Sequence, residues 1–340
     1  MRAPGRIPLT VACGLLAAAA GQARAAREVA VPLIDYVKQV RIFMPGEGSN
    51  GYVVPTSEER AAFSAAATAL LSGDVVRAEA ALSPYPDFEV LDYRDGPGGA
   101  SYLVIAEKEP LSHGWGFFFF ARKPSRPGLL IEAPHPLADR DSELLAARAV
   151  TSLHPAAFLL AGAHRYSDTR SSDMTHTVAS AFESVHEVVV TPAHVVLQLH
   201  GFSSAAHPGY PDAILSTGTT QPSSQGRQLC DDLVRASLQC ALYTGDSYTD
   251  LGAQTNVQGA HTRLVAGDGH FLHLETGDSV RDDQGQGDAV IHAIAARWPA
   301  QGSQAGCAAG PSQPAHGAWL FGVALAAGLA TRPKRQAHPR

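Results

Sequence analysis

The sequence predicts an α/β fold in which a mostly parallel or mixed sheet is flanked by helices. From residue 129 onward, short apolar runs alternate with helix-like stretches, a pattern typical of βαβ units. Four apolar runs end on a side chain that can bind a metal or move a proton: His135, His164, His200 and Glu275. The ends of parallel strands border the ligand crevice of an open α/β sheet, so this pattern predicts one functional site at that edge.

The individual elements follow from apolar runs, capping residues and turn residues. A cap at Thr56 or Ser57 and another at Asp74 predict two short helices within residues 56–83, part of a small N-terminal helical region assigned to 26–94. Strands at 102–109 and 114–123 predict a hairpin. The alternation that follows gives strands at 129–133, 157–163, 194–199 and 270–275, and helices at 141–153, 175–187, 225–239 and 287–298. Residues 95–300 are therefore predicted to form one α/β domain.

Composition limits the classes of partner. A chain of 340 residues with 45% apolar content can bury a large core. Its 26 basic and 32 acidic residues leave a formal net charge of −6, without a block of Lys or Arg in the middle of the chain. This charge distribution argues against a nucleic-acid partner, and the expected substrate is a small molecule or a peptide.

Both ends of the chain resemble targeting segments. Residues 1–25 have the order of a signal peptide, with Arg2 and Arg6, an apolar stretch and a small-residue cleavage site. They predict an exported protein that is periplasmic, extracellular or held at the cell surface. Residues 301–316 form a predicted linker. Cys307 together with the apolar run and basic end of residues 317–340 resembles the Cys, apolar and basic signals that sort some Gram-negative proteins to the cell surface. Membrane association through 317–340 and a buried C-terminal helix are the alternatives.

Cys230 and Cys240 are the two cysteines of the predicted domain. If one helix ran through both, their Cα atoms would lie about 15 Å apart, too far for a disulfide. A bond therefore requires the helix to end between them, and a disulfide and two packed thiols both stay open. The chain contains no CxxC pair, so a metal would have to be held by histidines and carboxylates.

The segment APHPLADRDSE (133–143) carries the first half of a predicted metal site. His135 follows a buried strand, Asp139 lies four residues on, and His200 ends another strand. Two imidazoles and one carboxylate leave a tetrahedral zinc ion (Zn²⁺) with an open position, which is the arrangement of a catalytic site. Glu143 is the rival carboxylate, but it falls in the first turns of a predicted helix, where an acid is already favoured by the dipole.

The segment HLETGDSVR (273–281) carries the second half. Glu275 ends an apolar strand and is the predicted general base and acid, with a salt bridge to Arg281 as its alternative role. His273 shares its strand face but is more typical of a packed histidine, so it is left outside the predicted site. Arg165 ends another strand and is the predicted substrate-binding residue, because its guanidinium can hold a carboxylate.

Two further side chains, Asp173 and His176, follow Arg165 in the chain. They could share a face toward the crevice. An acid at a helix start and a solvated or packed histidine are the more ordinary interpretations of this pair.

The motifs PHPLAD, LHGF and HLETGDSVR, in this order and on these predicted strands, resemble the zinc-dependent amidohydrolases related to carboxypeptidases, especially the N-formylglutamate amidohydrolase and poly-γ-glutamate hydrolase branch. The similarity covers about residues 95–300. It implies a zinc carboxypeptidase-like fold, His135 and His200 as zinc ligands with an acid from the 139–143 loop, and Glu275 as the catalytic carboxylate. The family spacing His-x-x-Glu is absent, because position 138 is Ala138; either Asp139 is the ligand from a longer loop or metal binding is degraded.

These observations favour an exported zinc-dependent hydrolase that cleaves an amide or peptide bond, with a glutamyl or other acidic compound as a candidate substrate. One alternative is a catalytically inactive binding protein held at the cell surface on the same fold. Another is a serine esterase that uses Ser247 of TGDSYTDLG, although the order of Ser247 and His270 does not match that class.

Overall fold

Ten strands join one sheet in the computed structural model, which describes residues 26–302. The strands are β1 (Arg27–Val31), β2 (Phe88–Asp95), β3 (Ser101–Glu107), β4 (Phe117–Ala121), β5 (Arg126–Ala133), β6 (Pro155–Leu160), β7 (Val195–Gly201), β8 (Ala213–Ser216), β9 (Cys240–Leu242) and β10 (Phe271–Thr276). Their spatial order is β1-β2-β3-β4-β6-β5-β7-β10-β8-β9. The sheet is mixed: β6, β5, β7 and β10 are mutually parallel, and β8 is parallel to β9. In contrast, β3 and β4 are antiparallel to both of their neighbours, and β8 is antiparallel to β10.

Helices cover both faces of this sheet. They are α1 (Leu33–Val40), α2 (Ser57–Leu71), α3 (Val75–Leu82), α4 (Ser142–Leu153), α5 (Ala181–Val189), α6 (Ser224–Arg235), α7 (Val257–Ala266), α8 (Asp278–Asp282) and α9 (Gln284–Arg297). The predicted α/β class, with a mixed sheet between helices, is confirmed. Within the described residues, no helix is long and apolar enough to cross a membrane.

The N-terminal region is more than the helical segment predicted for 26–94. Its two predicted helices are present: Thr56 and Glu59 form a capping box at α2, and Asp74 caps α3. However, β1 and β2 belong to the central sheet, where they pair in parallel, and β2 continues antiparallel into β3. Residues 26–94 thus extend the sheet as well as covering it.

Two predicted helices have different bounds in the structure. The helix predicted at 175–187 is a single 3-10 turn at Met174–His176 followed by α5, which starts late because the Ser180 hydroxyl caps it through the Glu183 amide. The helix predicted at 225–239 ends at Arg235. The chain then turns back, and Cys230 and Cys240 form a disulfide with their Cα atoms 5.6 Å apart, which resolves the alternative left open by the sequence.

The two faces of the central strands differ in chemistry. On one face Ile131, Leu197 and Leu272 lie side by side and pack against α1, α4, α6 and α9. On the other face Val196 and Phe271 pack toward α2, α3 and α5, but the side chains become polar toward the carboxyl ends of the strands. The candidate site lies where this face becomes polar, at the carboxyl ends of the strands.

The predicted signal peptide (1–25) and sorting or anchor segment (317–340) lie outside the described residues. The same is true of the predicted linker (301–316) beyond Gly302.

Candidate metal centre

Strand register brings the predicted residues together at one edge of the sheet. Glu275 on β10 lies opposite His200 on β7, with both side chains on the polar face. His135 follows the end of β5, the neighbour of β7 on its other side. His135 and His200 are each 2% exposed, and their ring centroids are 4.8 Å apart. The two histidines therefore lie on the same side of the sheet, as the predicted site requires.

Asp139 reaches both imidazoles from the loop that follows β5. Its Oδ2 lies 3.3 Å from His135 Nδ1 and 2.8 Å from His200 Nδ1. The loop doubles back because Leu137 takes a left-handed backbone conformation, with φ of 67°, and the Asp139 amide donates to the carbonyl of His135. A left-handed leucine is an uncommon, strained conformation that is often found at functional sites.

The other ring nitrogen of His135 is held by a carboxylate. His135 Nε2 donates to Asp173 Oδ1 at 2.9 Å, and Asp173 is fixed in turn by Arg165 Nη2 at 2.6 Å and by the Thr175 hydroxyl at 2.9 Å. With its proton on Nε2, the neutral imidazole has its lone pair on Nδ1, which faces Asp139. Metal-binding histidines commonly have this arrangement, in which the second nitrogen donates to a carboxylate.

His200 has the same orientation through a different partner. Its Nε2 lies 3.2 Å from Gln198 Oε1, and its Nδ1 faces Asp139. His135 Nδ1 and His200 Nδ1 both face Asp139 Oδ2, so these atoms can share a cation bound between them, or the imidazoles can donate hydrogens to the ionised carboxylate. The three ligand atoms lie within 4.8 Å of one another. Two nitrogens and one oxygen fit Zn²⁺.

Burial and mutual contacts shift the pKa values of Asp139, His135 and His200. Burial raises the pKa of Asp139, but the charges and hydrogen bonds of His135 and His200 outweigh this effect and bring the pKa well below its usual range. Burial lowers the pKa of His200. Burial opposes a charge on His135 as well, yet the neighbouring Asp139 raises its pKa. The site therefore contains an ionised carboxylate and favours a positive charge at its centre.

Glu275 lies beside this group, and no salt bridge joins it to an arginine or lysine within residues 26–302. Its side chain is 9% exposed, its Oε1 is 3.5 Å from His273 Nε2, and its buried Oε2 has no hydrogen-bond partner. Burial raises the pKa of Glu275 well above its usual range, and the charge of Asp139 adds to this effect. The alternative salt bridge to Arg281 is wrong, because Arg281 donates instead to the carbonyl oxygens of Phe202, Thr276 and Arg140 and to Asp278.

His273 lies in the site, although its place in an apolar strand is more typical of a packed histidine. Its ring centroid is 4.2 Å from that of His200, and burial lowers its pKa well below the usual value. His200, His273 and Glu275 form a second group of close ligand atoms. Asp139 is the better metal-binding carboxylate, because its lowered pKa keeps it charged whereas the raised pKa of Glu275 favours the neutral acid.

Glu143, the rival of Asp139, is placed away from the two histidines. It is fully buried in α4, and its Oε1 lies 3.1 Å from Arg41 Nη1. Burial raises the pKa of Glu143 to about 7, against the opposing effect of Arg41. Among the described residues, the groups of close ligand atoms that contain His135 or His200 do not include Glu143.

A cavity of about 280 Å³ opens onto these side chains. Its walls include His135, His200, Glu275, Arg165 and residues 249–250 and 252–256 of the loop before α7. The Arg165 guanidinium is half-buried: Nη2 pairs with Asp173, and Nη1 lies 3.2 Å from His135 Nδ1. Arg165 therefore brings a positive charge to the cavity, as its predicted role requires, and both of its terminal nitrogens already have partners in Asp173 and His135.

Other sequence candidates lie apart from this centre. The side chain of His164 accepts a hydrogen bond from the amide of Tyr166. Ser247 is exposed, and His270 donates to the carbonyl of His194. No hydrogen bond joins Ser247 to a histidine among residues 26–302, so the geometry gives no support to the serine esterase.

The sequence alone predicts Asp173 to be an ordinary acid at a helix start, and it does not indicate a role for Gln198. Asp173 holds His135 and also lies 3.2 Å from His176 Nδ1. A polar Gln198 within the apolar run VVLQLH, two residues before His200, was the available signal for the second partner.

Comparison with known proteins gives a partial likeness in fold. No protein-family model and no curated protein matches the chain. Among solved structures, a bacteriophage poly-γ-glutamate hydrolase shares 14% identity at a TM-score of 0.37, covering 51% of this chain and 86% of its own. The N-formylglutamate amidohydrolase of Ralstonia eutropha shares 13% at 0.36, covering 53% and 97%. An aspartoacylase family protein of Mesorhizobium loti shares 12% at 0.39, covering 64% and 72%.

Proposed function

We propose that the protein is a zinc-dependent hydrolase that cleaves an amide or peptide bond. The observation that carries this proposal is the convergence of His135 Nδ1 and His200 Nδ1 on the Asp139 carboxylate. Each imidazole has its Nε2 engaged with another acceptor, Asp173 or Gln198. Three acceptor atoms held face to face in a buried pocket form a site for a cation.

His135, Asp139 and His200 would hold the zinc ion. When bound, the ion supplies a Lewis acid that polarises a scissile carbonyl and lets water ionise near neutral pH. The three side chains come from the ends of two strands and one strained loop, so their positions are fixed by the sheet.

Glu275 is the proposed general base and acid. Its unpartnered Oε2 can accept a proton from the attacking water and return it to the leaving nitrogen. Burial and the charge of Asp139 raise the pKa of Glu275 well above its usual range, which makes its carboxylate a stronger base toward water. A pKa shifted by burial in this way is common among catalytic carboxylates.

Arg165 is the proposed substrate-binding residue. Its Nη1 faces the cavity next to the ligand atoms, where a cation can hold a substrate carboxylate or the negative charge that develops on a carbonyl oxygen. The cavity volume suits a small acyl amino acid or one end of a peptide. An acidic substrate such as a glutamyl compound is consistent with this charge.

Export is part of the same proposal. The Cys230–Cys240 disulfide supports it, because disulfides persist mainly in oxidising compartments outside the cytosol. The signal-like residues 1–25 provide the second argument. Detection of the mature protein in the periplasm or medium after expression with its own N-terminus would test this part.

The purified protein tests the catalytic proposal. Zinc content is measured first, and cleavage is then assayed with a panel of N-acyl amino acids and glutamyl peptides. Glu275→Gln should keep one zinc per chain and lower cleavage by about 10² to 10⁴-fold. Glu143→Gln is the matched control, since it alters a buried acid outside the centre, and it should change neither zinc content nor cleavage. Ligand binding by a protein that holds no zinc would instead favour the non-enzymatic binding protein.

A further inference from the structure

The guanidinium of Arg281 bonds to the backbone of three separate segments of the chain. Arg281 lies in α8, and its side chain is 1% exposed. Its Nε donates to the carbonyl oxygen of Arg140 at 2.6 Å, its Nη1 to that of Thr276, and its Nη2 to that of Phe202 at 3.1 Å. Nη2 also donates to Asp278 Oδ1 at 2.9 Å. All three nitrogens of the guanidinium are therefore engaged.

The three carbonyl groups belong to residues that lie one or two positions after members of the candidate metal centre. The pairs are Asp139 and Arg140, His200 and Phe202, and Glu275 and Thr276. The strands β7 and β10 are already joined by their ladder, whereas the loop that carries Asp139 lies outside the sheet. Arg281 thus bonds the backbone of that loop to the ends of both strands.

The residue after His200 leaves room for the guanidinium. This residue is Gly201, and a Cβ at its position would lie 2.3 Å from Cζ of Arg281. A side chain at 201 would therefore push the guanidinium away from its acceptors. The hydroxyl of Thr276 adds a link at the same place, because it donates to the carbonyl oxygen of His200 at 2.9 Å. The glycine of LHGF and the arginine of HLETGDSVR thus fit together.

A guanidinium has the chemistry that this position requires. Its five N–H donors form a rigid, planar fork, so one side chain can bond several fixed carbonyl oxygens at once. Asp278 offsets its charge, which would otherwise be costly in a buried position. Functional side chains must be held within about 0.5 Å of their working geometry, and partners behind them supply this precision.

We propose that Arg281 is a positioning residue for the candidate metal centre. It holds the loop of Asp139 against the ends of the strands that carry His200 and Glu275. Arg281 acts through the backbone of these segments and does not itself bind the metal. The consequence for zinc binding rests on the proposed function, whereas the arrangement of the side chains in the metal-free protein does not.

The test compares the same substitution at two arginines. Arg281→Lys keeps the positive charge but replaces three nitrogens with one, so it cannot reach all three carbonyl oxygens. Arg148→Lys is the matched control. Arg148 Nη2 likewise donates to a carbonyl oxygen, that of Gln284 at 2.9 Å, and to Asp288 Oδ1 at 2.6 Å. It joins α4 to α9, which pack on the other face of the sheet.

Zinc titration and urea denaturation of the full protein report the first result. Both variants should lose stability, but only Arg281→Lys should lose zinc affinity, by about 10 to 100-fold, the usual effect of removing a partner behind a metal ligand. Crystal structures of the metal-free proteins give a second result. Asp139 Oδ2 lies 2.8 Å from His200 Nδ1 in the wild type, and this contact should be broken in Arg281→Lys.

Wild-type zinc affinity in Arg281→Lys would overturn the proposal, as would an unchanged contact of Asp139 with His200 in its crystal structure. An equal loss of affinity in Arg148→Lys would also overturn it, because the effect would then reflect general stability. If the wild type binds no zinc, the proposed function fails, and the crystal structures decide the role of Arg281. Should Arg281→Lys not fold, Gly201→Ala takes its place, since its methyl group displaces the guanidinium and predicts the same losses.

Discussion

Replacing Glu143 with glutamine should make the protein more stable at neutral and alkaline pH. Glu143 is fully buried, its carboxylate faces Arg41 at 3.1 Å, and burial raises its pKa to about 7 from 4.5. Because the folded protein holds this proton more tightly than the unfolded chain, the contribution of Glu143 to stability is greatest below pH 4.5 and falls as pH rises toward 7. Glutamine keeps the shape of the side chain and removes this pH dependence.

The size of the effect follows from the two pKa values. At about 1.4 kcal/mol per pKa unit, the difference between 4.5 and about 7 corresponds to about 3 kcal/mol. Glu143→Gln should therefore gain up to about 3 kcal/mol relative to the wild type at pH 8. At pH 4 the pH-dependent part of that gain should be absent.

Urea denaturation of both proteins between pH 4 and pH 8, with a chelator present, measures this difference. The chelator removes any contribution from metal binding, which is itself pH-dependent. Comparing the variant with the wild type also cancels the contribution of Glu183, whose pKa is likewise raised to about 7 by burial. A difference in unfolding free energy between the two proteins that is constant over this range would refute the reasoning.

Three further predictions follow from the same structure. Cleavage should fall with decreasing pH through the raised pKa of Glu275, so a pH profile of kcat/KM that stays flat down to pH 4.5 would contradict its role as base. Replacing Cys230 and Cys240 with serine should cost about 3 kcal/mol of unfolding free energy in urea. Added reductant should lower the unfolding free energy of the wild type but not that of the serine variant. Phe63→Ala should cost roughly 3–5 kcal/mol, because the ring is fully buried and meets Trp115 at 5.3 Å; a loss below about 1 kcal/mol would show that the core closes over the gap.

The sequence predicts the central sheet well because its strands are long and apolar. The strands and helices between 129 and 160 and the last strand and helix match their predicted positions closely. The short strands β8 and β9 and the helix α7 escape prediction, since three or four residues carry too little periodicity and α7 has a low apolar content. The strand β1 escapes because its partner β2 is distant in sequence.

The candidate site is likewise only partly predictable from the sequence. His135, Asp139, His200 and Glu275 could be grouped from the sequence because strand ends meet at one edge of a sheet. Gln198 and Asp173 could not, because their roles depend on which nitrogen of a histidine they face. That information resides in hydrogen-bond geometry between segments that are far apart in the chain.

Anomalous X-ray diffraction at the zinc edge, from crystals of the zinc-loaded protein, tests the central claim most directly. The metal centre described above predicts one zinc peak per chain in contact with His135 Nδ1, His200 Nδ1 and the Asp139 carboxylate, and loss of that peak in Asp139→Asn. A peak bound by His273 and Glu275 instead, or a full peak in Asp139→Asn, would contradict it.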